Sequence, residues 1–321
     1  MNTIILTSYL DFYEKDEQGN KIAHNFGNDN GILDCLKSNI KKYDNFVFVA
    51  NGMEGEKAEA YFKLACNSFE LTLPFNNYEF LCPSTKNRAK EMIEKADFIF
   101  LCGGHLPTQN KFFNDIGLKE LLKNTNALIV GGSAGSMNCA DVVYCPPELE
   151  EEVLDDNFNR YLKGLGLTNI NIMPHFEEYQ KMVICGKRYI DDIVVPDSHK
   201  IDIIALNNGS YVVIKDNQTT IYGESYLIRK GKITQINENQ NTKHVLWYCF
   251  GQFKNKETED LFSKKKRLHL IAAICFTISV FCSLIGLVNS TNGVQLGLSC
   301  FTLALCAGNA IAQFVLFFKK R

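Results

Sequence analysis

Short apolar runs rich in β-branched and aromatic residues alternate with segments of helical period along the first 130 residues. Residues 4–6, 46–50, 78–82, 98–102 and 127–130 read as strands. Helices are expected around 31–41, 56–68, 85–95 and 110–123. Strands apolar throughout, with helices between them, predict a mostly parallel sheet covered on both faces. In such α/β sheets ligands sit at the carboxyl ends of the strands. After an acidic, irregular insert at 146–156, an apolar approach at 170–173 ends in Pro174-His175-Phe176. From residue 201 the period becomes strand and turn, with strands at 203–206, 211–214, 219–222, 226–228 and 233–236. Asn208-Gly209 and Lys230-Gly231-Lys232 are placed as hairpin turns.

Two later stretches break this pattern. Residues 268–288 hold no charge, His269 apart, and residues 294–318 hold none. Each is long enough to cross a hydrocarbon core of ~30 Å at ~1.5 Å per residue. Basic clusters at 264–267 and 319–321 flank them, and such clusters stay on the cytoplasmic side. The expectation is a two-span hairpin in the lipid bilayer of the cell membrane, with the soluble domain and both termini cytoplasmic and only 289–293 outside. Small residues recur as Ala304, Gly308 and Ala312, and as Ala272, Cys275, Ser279, Cys282 and Gly286. Such seams suit packing within the hairpin or in a homodimer. The chain therefore divides into an α/β domain over 1–236, a charged juxtamembrane linker over 237–267 and the membrane hairpin over 268–321.

Charge and cysteines narrow the classes. The chain carries a net −2, but before residue 264 there are 27 Lys and Arg against 36 Asp and Glu. An acidic soluble part argues against nucleic-acid binding. The twelve cysteines show no Cys-x-x-Cys or Cys/His spacing, so they read as buried thiols in a reducing compartment, with no metal or cofactor expected.

The chemistry gathers at Gly131-Gly132-Ser133-Ala134-Gly135, directly behind the apolar run 127–130. Gly-x-Ser-x-Gly between strand and helix is the pattern of a nucleophile elbow, whose tight turn lifts the serine hydroxyl out of the sheet. A serine nucleophile needs a base and a group to orient that base. Of six histidines, His175 is best placed, because its apolar run ends at the same rim.

The order of Gly103-Gly104, Gly132-Ser133-Ala134-Gly135, an acidic residue fifteen positions on, and Pro174-His175-Phe176 resembles the dipeptidase E and cyanophycinase-type serine peptidases. These share the class I glutamine amidotransferase-like fold, a flavodoxin-like three-layer sandwich. The resemblance covers roughly residues 1–236. It implies Ser133 as nucleophile, His175 as general base, the N–H groups of Gly104 and Ala134 as oxyanion hole, and Glu148 as third triad member. Glu177, two residues after His175, is the rival, matching the His-x-Glu of the amidotransferase relatives. Two departures stand out: His105 replaces the asparagine that commonly follows Gly-Gly, and only Lys187 or Arg188 suggests itself for a substrate carboxylate. The implied activity is amide hydrolysis in small peptides by a membrane-anchored exo- or dipeptidase. A catalytically silent binding or sensor domain, and an esterase or amidase on a non-peptide substrate, are the alternatives.

Overall fold

A computed structural model describes residues 3–51, 56–216, 218–237 and 243–246. Its main sheet has eight strands, in the order Lys243–Leu246, Gln218–Tyr222, Tyr211–Lys215, Ile4–Thr7, Leu128–Gly132, Phe98–Leu101, Asn45–Val49 and Asn77–Leu81. The five from Ile4–Thr7 to Asn77–Leu81 run parallel, and the other three are added antiparallel. The parallel half is the one expected from the uninterrupted apolar runs.

Alternation within single strands produces the layers, since successive side chains leave opposite faces. Phe46 and Phe48 face one side with Phe98 and Phe100, beneath the helices Ile32–Asn39 and Glu56–Thr72. Val47, Val49, Ile99 and Leu101 face the other, against Ala89–Lys95, Leu106–Asp115 and Leu118–Leu122. One face is therefore aromatic and the other aliphatic. Phe46 and Phe98 stack at 5.2 Å between centroids, and Phe69 packs 4.6 Å from Phe46.

Four expectations change. The helix expected over 110–123 is two helices, broken where Gly117 adopts φ 64°. Strands Ile203–Leu206 and Tyr211–Lys215 do not form a hairpin. The first lies in a separate four-stranded sheet, Asn171–Met173, Ile203–Leu206, Ser225–Arg229 and Lys232–Asn237, while the second pairs with Ile4–Thr7. The acidic insert is ordered and contains the helix Glu150–Leu154. The stretch read as a linker from 237 supplies an edge strand at Lys243–Leu246, paired with Gln218–Tyr222.

Among the described residues no helix is long and apolar enough to cross a membrane. The hairpin expected at 268–288 and 294–318 lies outside them, with its small-residue seams.

Candidate active site

Ser133 follows the strand Leu128–Gly132 and precedes the four-residue helix Ala134–Met137 with φ 51° and ψ −121°. A side chain held at positive φ costs on the order of 1–3 kcal/mol and persists only where its surroundings enforce it. Here they do. Ser133 N–H bonds Thr7 O at 3.1 Å, and a Cβ on Gly135 would lie 1.9 Å from Leu101 O. The helix after the serine thus rests directly on the backbone of the neighbouring strand, which only glycine permits.

His175 follows the strand Asn171–Met173 of the small sheet and is also left-handed, φ 52° and ψ 37°. Its Nε2 lies 3.1 Å from Ser133 Oγ. Its Nδ1 lies 2.7 Å from the side-chain oxygen of Asn208. The surroundings of Asn208 decide which ring nitrogen carries the proton. Glu178 Oε1 sits 2.8 Å from Asn208 Nδ2, and an ionised carboxylate only accepts, so the amide must turn its NH₂ there. That leaves Asn208 Oδ1 facing His175, which must donate from Nδ1–H. Nε2 is then the acceptor for the serine hydroxyl, the tautomer a general base needs. Glu177 Oε1 receives the backbone N–H of Asn208 at 2.8 Å. Ser8 Oγ accepts the His175 N–H at 2.8 Å and donates to Asn208 Oδ1 at 3.2 Å.

The structure therefore brings Ser133 and His175 together but puts Asn208, not Glu148, on the far side of the ring. The Glu148 carboxyl is half-buried near Cys145, Tyr179 and Tyr189, and its loss of solvent pushes its pKa up to about 7. The nearby His105 opposes the rise and Glu152 adds to it. Spacing along the chain selected Glu148, but the insert turns toward His105 instead. Glu152 Oε2 accepts the N–H groups of Glu148 and Leu149, and its Oε1 lies 2.7 Å from His105 Nε2. Glu177, the rival, reaches the ring only through Asn208. Lys187 and Arg188 are exposed, Arg188 pairing with Asp191 and Asp192, and neither lines the cleft at Ser133.

Gly103 packs against Ser133, since a Cβ there would be 3.1 Å from Ser133 Cβ. Gly104, at φ 117°, continues the turn along the same cleft. Buried Gln109 holds that turn, donating from Nε2 to Gly103 O at 2.7 Å while its Oε1 accepts Asn51 N–H at 2.8 Å. Asn208, Ser8, Glu178 and Gln109 were not found from the sequence. Asn208 carried a usable signal: like Ser133 and His175, it closely follows an apolar strand.

The described residues contain no group of three or more His, Cys, Asp or Glu able to hold a metal ion. The profile of Peptidase family S51 matches residues 19–222. A crystal structure of a peptidase from an acI-B1 Actinobacterium superposes with a TM-score of 0.51 at 12% identity, over 77% of this chain and 97% of that one. A putative peptidase E protein from Listeria monocytogenes EGD-e aligns with a TM-score of 0.45 at 17% identity, over 69% of this chain and 98% of that one. No curated protein matches the chain.

Proposed function

Since the chain belongs to peptidase family S51 and is a serine-type peptidase, we propose that it hydrolyses small peptides through a Ser133–His175–Asn208 relay. The carrying observation is the 3.1 Å approach of His175 Nε2 to the strained Ser133 hydroxyl. In this reading Ser133 Oγ attacks the scissile carbonyl carbon as Nε2 takes its proton. The N–H groups of Gly104 and Ala134 receive the oxyanion. The proton passes from Nε2 to the departing amine, and water then releases the acyl group by the same route. Asn208 supplies a dipole where many triads supply a carboxylate, as in the Cys-His-Asn sites of papain-like proteases. Glu178, hydrogen-bonded to its NH₂ group, polarises the amide and strengthens Oδ1 as an acceptor.

Labelling by a fluorophosphonate, lost in Ser133→Ala, tests the nucleophile. Ser133→Ala and His175→Ala should each lower kcat/KM at least ~10³-fold, and the double variant little further, because such residues act as a unit. Losses that multiply would show that the two do not share a mechanism. The uncharged runs 268–288 and 294–318 with their basic flanks support anchoring of this activity on the cytoplasmic face. A reporter fused after Arg321 that reads as external would refute that topology.

A further inference from the structure

The cleft that reaches Ser133 encloses about 1010 Å³, the upper end of the range of roughly 300–1,000 Å³ typical for small-molecule sites. Its inner surface is the aromatic face of the sheet continued outward. The ring of Phe100 abuts the residue before the nucleophile, where a Cβ on Gly132 would be 2.9 Å from its Cζ. From there the rings run on without a break, Phe12 lying 6.3 Å from Phe100 and 5.2 Å from Tyr61, centroid to centroid. Leu64 lines the same space.

Polar groups that would contradict an apolar reading are already engaged. The Tyr9 hydroxyl donates to Asp11 at 2.7 Å, leaving its ring toward the cleft. No Asp, Glu or Arg is among the described residues lining the cleft. Among those residues the lining next to Ser133 is dominated by rings and aliphatic side chains, which offer a charged substrate side chain no ion pair. Among the described residues of that lining, Lys21 is the one formal charge apart from the histidines. Its Nζ is held over the rings of Tyr13 and Tyr61, at 4.4 and 4.8 Å, at the end of the ring series remote from Phe100.

Resting on the assignment of Ser133 as nucleophile, we propose that the cleft selects peptides carrying a large apolar residue, aromatic or long aliphatic, next to the scissile bond. Water hydrolyses that bond, leaving a free carboxylate on one product and a free amine on the other. Burying such a side chain against Phe100 and Tyr61 releases it from water, whereas an acidic or basic one loses its hydration with little return.

The test uses the full chain and two sets of dipeptides, Xaa-Ala and Ala-Xaa, with Xaa as Phe, Leu, Ala, Asp or Lys. At one of the two positions, Phe and Leu should exceed Ala in kcat/KM by about 10- to 100-fold, the range apolar pockets achieve, with Asp and Lys below Ala. Ala60, exposed on the helix Glu56–Thr72 and facing this space, offers a way to fill it. Ala60→Trp should cut the ratio of Phe to Ala substrates at least tenfold. A flat profile, or preference for Asp or Lys, in an enzyme labelled at Ser133 overturns the proposal alone. Turnover of p-nitrophenyl octanoate with no dipeptide cleaved overturns it in favour of an acyl chain. Absence of labelling overturns the nucleophile assignment beneath it.

Discussion

Replacing Glu148 by glutamine separates the two accounts of this carboxyl. If it oriented His175, kcat would fall by orders of magnitude. The structure predicts instead a kcat within about threefold of wild type and a gain in stability that depends on pH. Burial lifts the carboxyl from its ordinary 4.5 to about 7 in the folded chain. Below pH ~4.5 both folded and unfolded states hold the proton, and the residue is neutral to folding. Between ~4.5 and ~7 the unfolded chain ionises first, so stability falls as pH rises, and above ~7 the whole penalty remains. At ~1.4 kcal/mol per pH unit the gap amounts to about 3.5 kcal/mol. Glutamine carries no charge and avoids that penalty. Thermal unfolding followed by near-UV circular dichroism should therefore show Glu148→Gln with a Tm raised by roughly 6 °C or more at pH 8 and nearly unchanged at pH 4. An equal Tm difference at both pH values would refute the burial argument, and a hundredfold loss of kcat would restore Glu148 to the triad.

Asn208→Ala removes the acceptor that fixes the His175 tautomer and should lower kcat about 10²-fold. An unchanged kcat in steady-state assays would count against the relay. Gln109→Leu keeps the volume but frees the Gly103 turn, so kcat should fall about tenfold to a hundredfold with little change in KM. A change confined to KM would assign Gln109 to substrate contact instead. Gly135→Ala, with its methyl 1.9 Å from Leu101 O, should destabilise by more than ~4 kcal/mol and yield no cooperative unfolding transition. A folded variant with wild-type Tm would show that this backbone approach relaxes freely.

The elbow and His175 were legible because each is a local event, a chemical residue at the end of an apolar strand. The parallel half of the sheet was legible for the same reason, since both of its faces are buried and its strands are apolar throughout. What stayed hidden depends on which strands become neighbours. Asn208-Gly209 has the composition of a hairpin turn, yet the strands beside it part into different sheets. That departure carries the Asn208 side chain to the imidazole. The edge strand Lys243–Leu246 escaped notice because it lies in a mostly polar and charged stretch, and pairing at a sheet edge is made by the backbone. Glu148 was chosen by distance along the chain, which says nothing of where the turn leading into the helix Glu150–Leu154 directs its carboxyl.

Strand Ile4–Thr7 is synthesised well before both of its partners, Leu128–Gly132 and Tyr211–Lys215. The middle of the sheet therefore stays open along one edge until translation has passed residue 215. A ribosome-bound chain halted after the elbow holds Ser133 but neither His175 nor Asn208. On the proposed relay, full hydrolytic capacity arrives only after residue 208 has been made. On that relay, a partly made chain lacking His175 leaves neighbouring nascent chains, its own included, uncut.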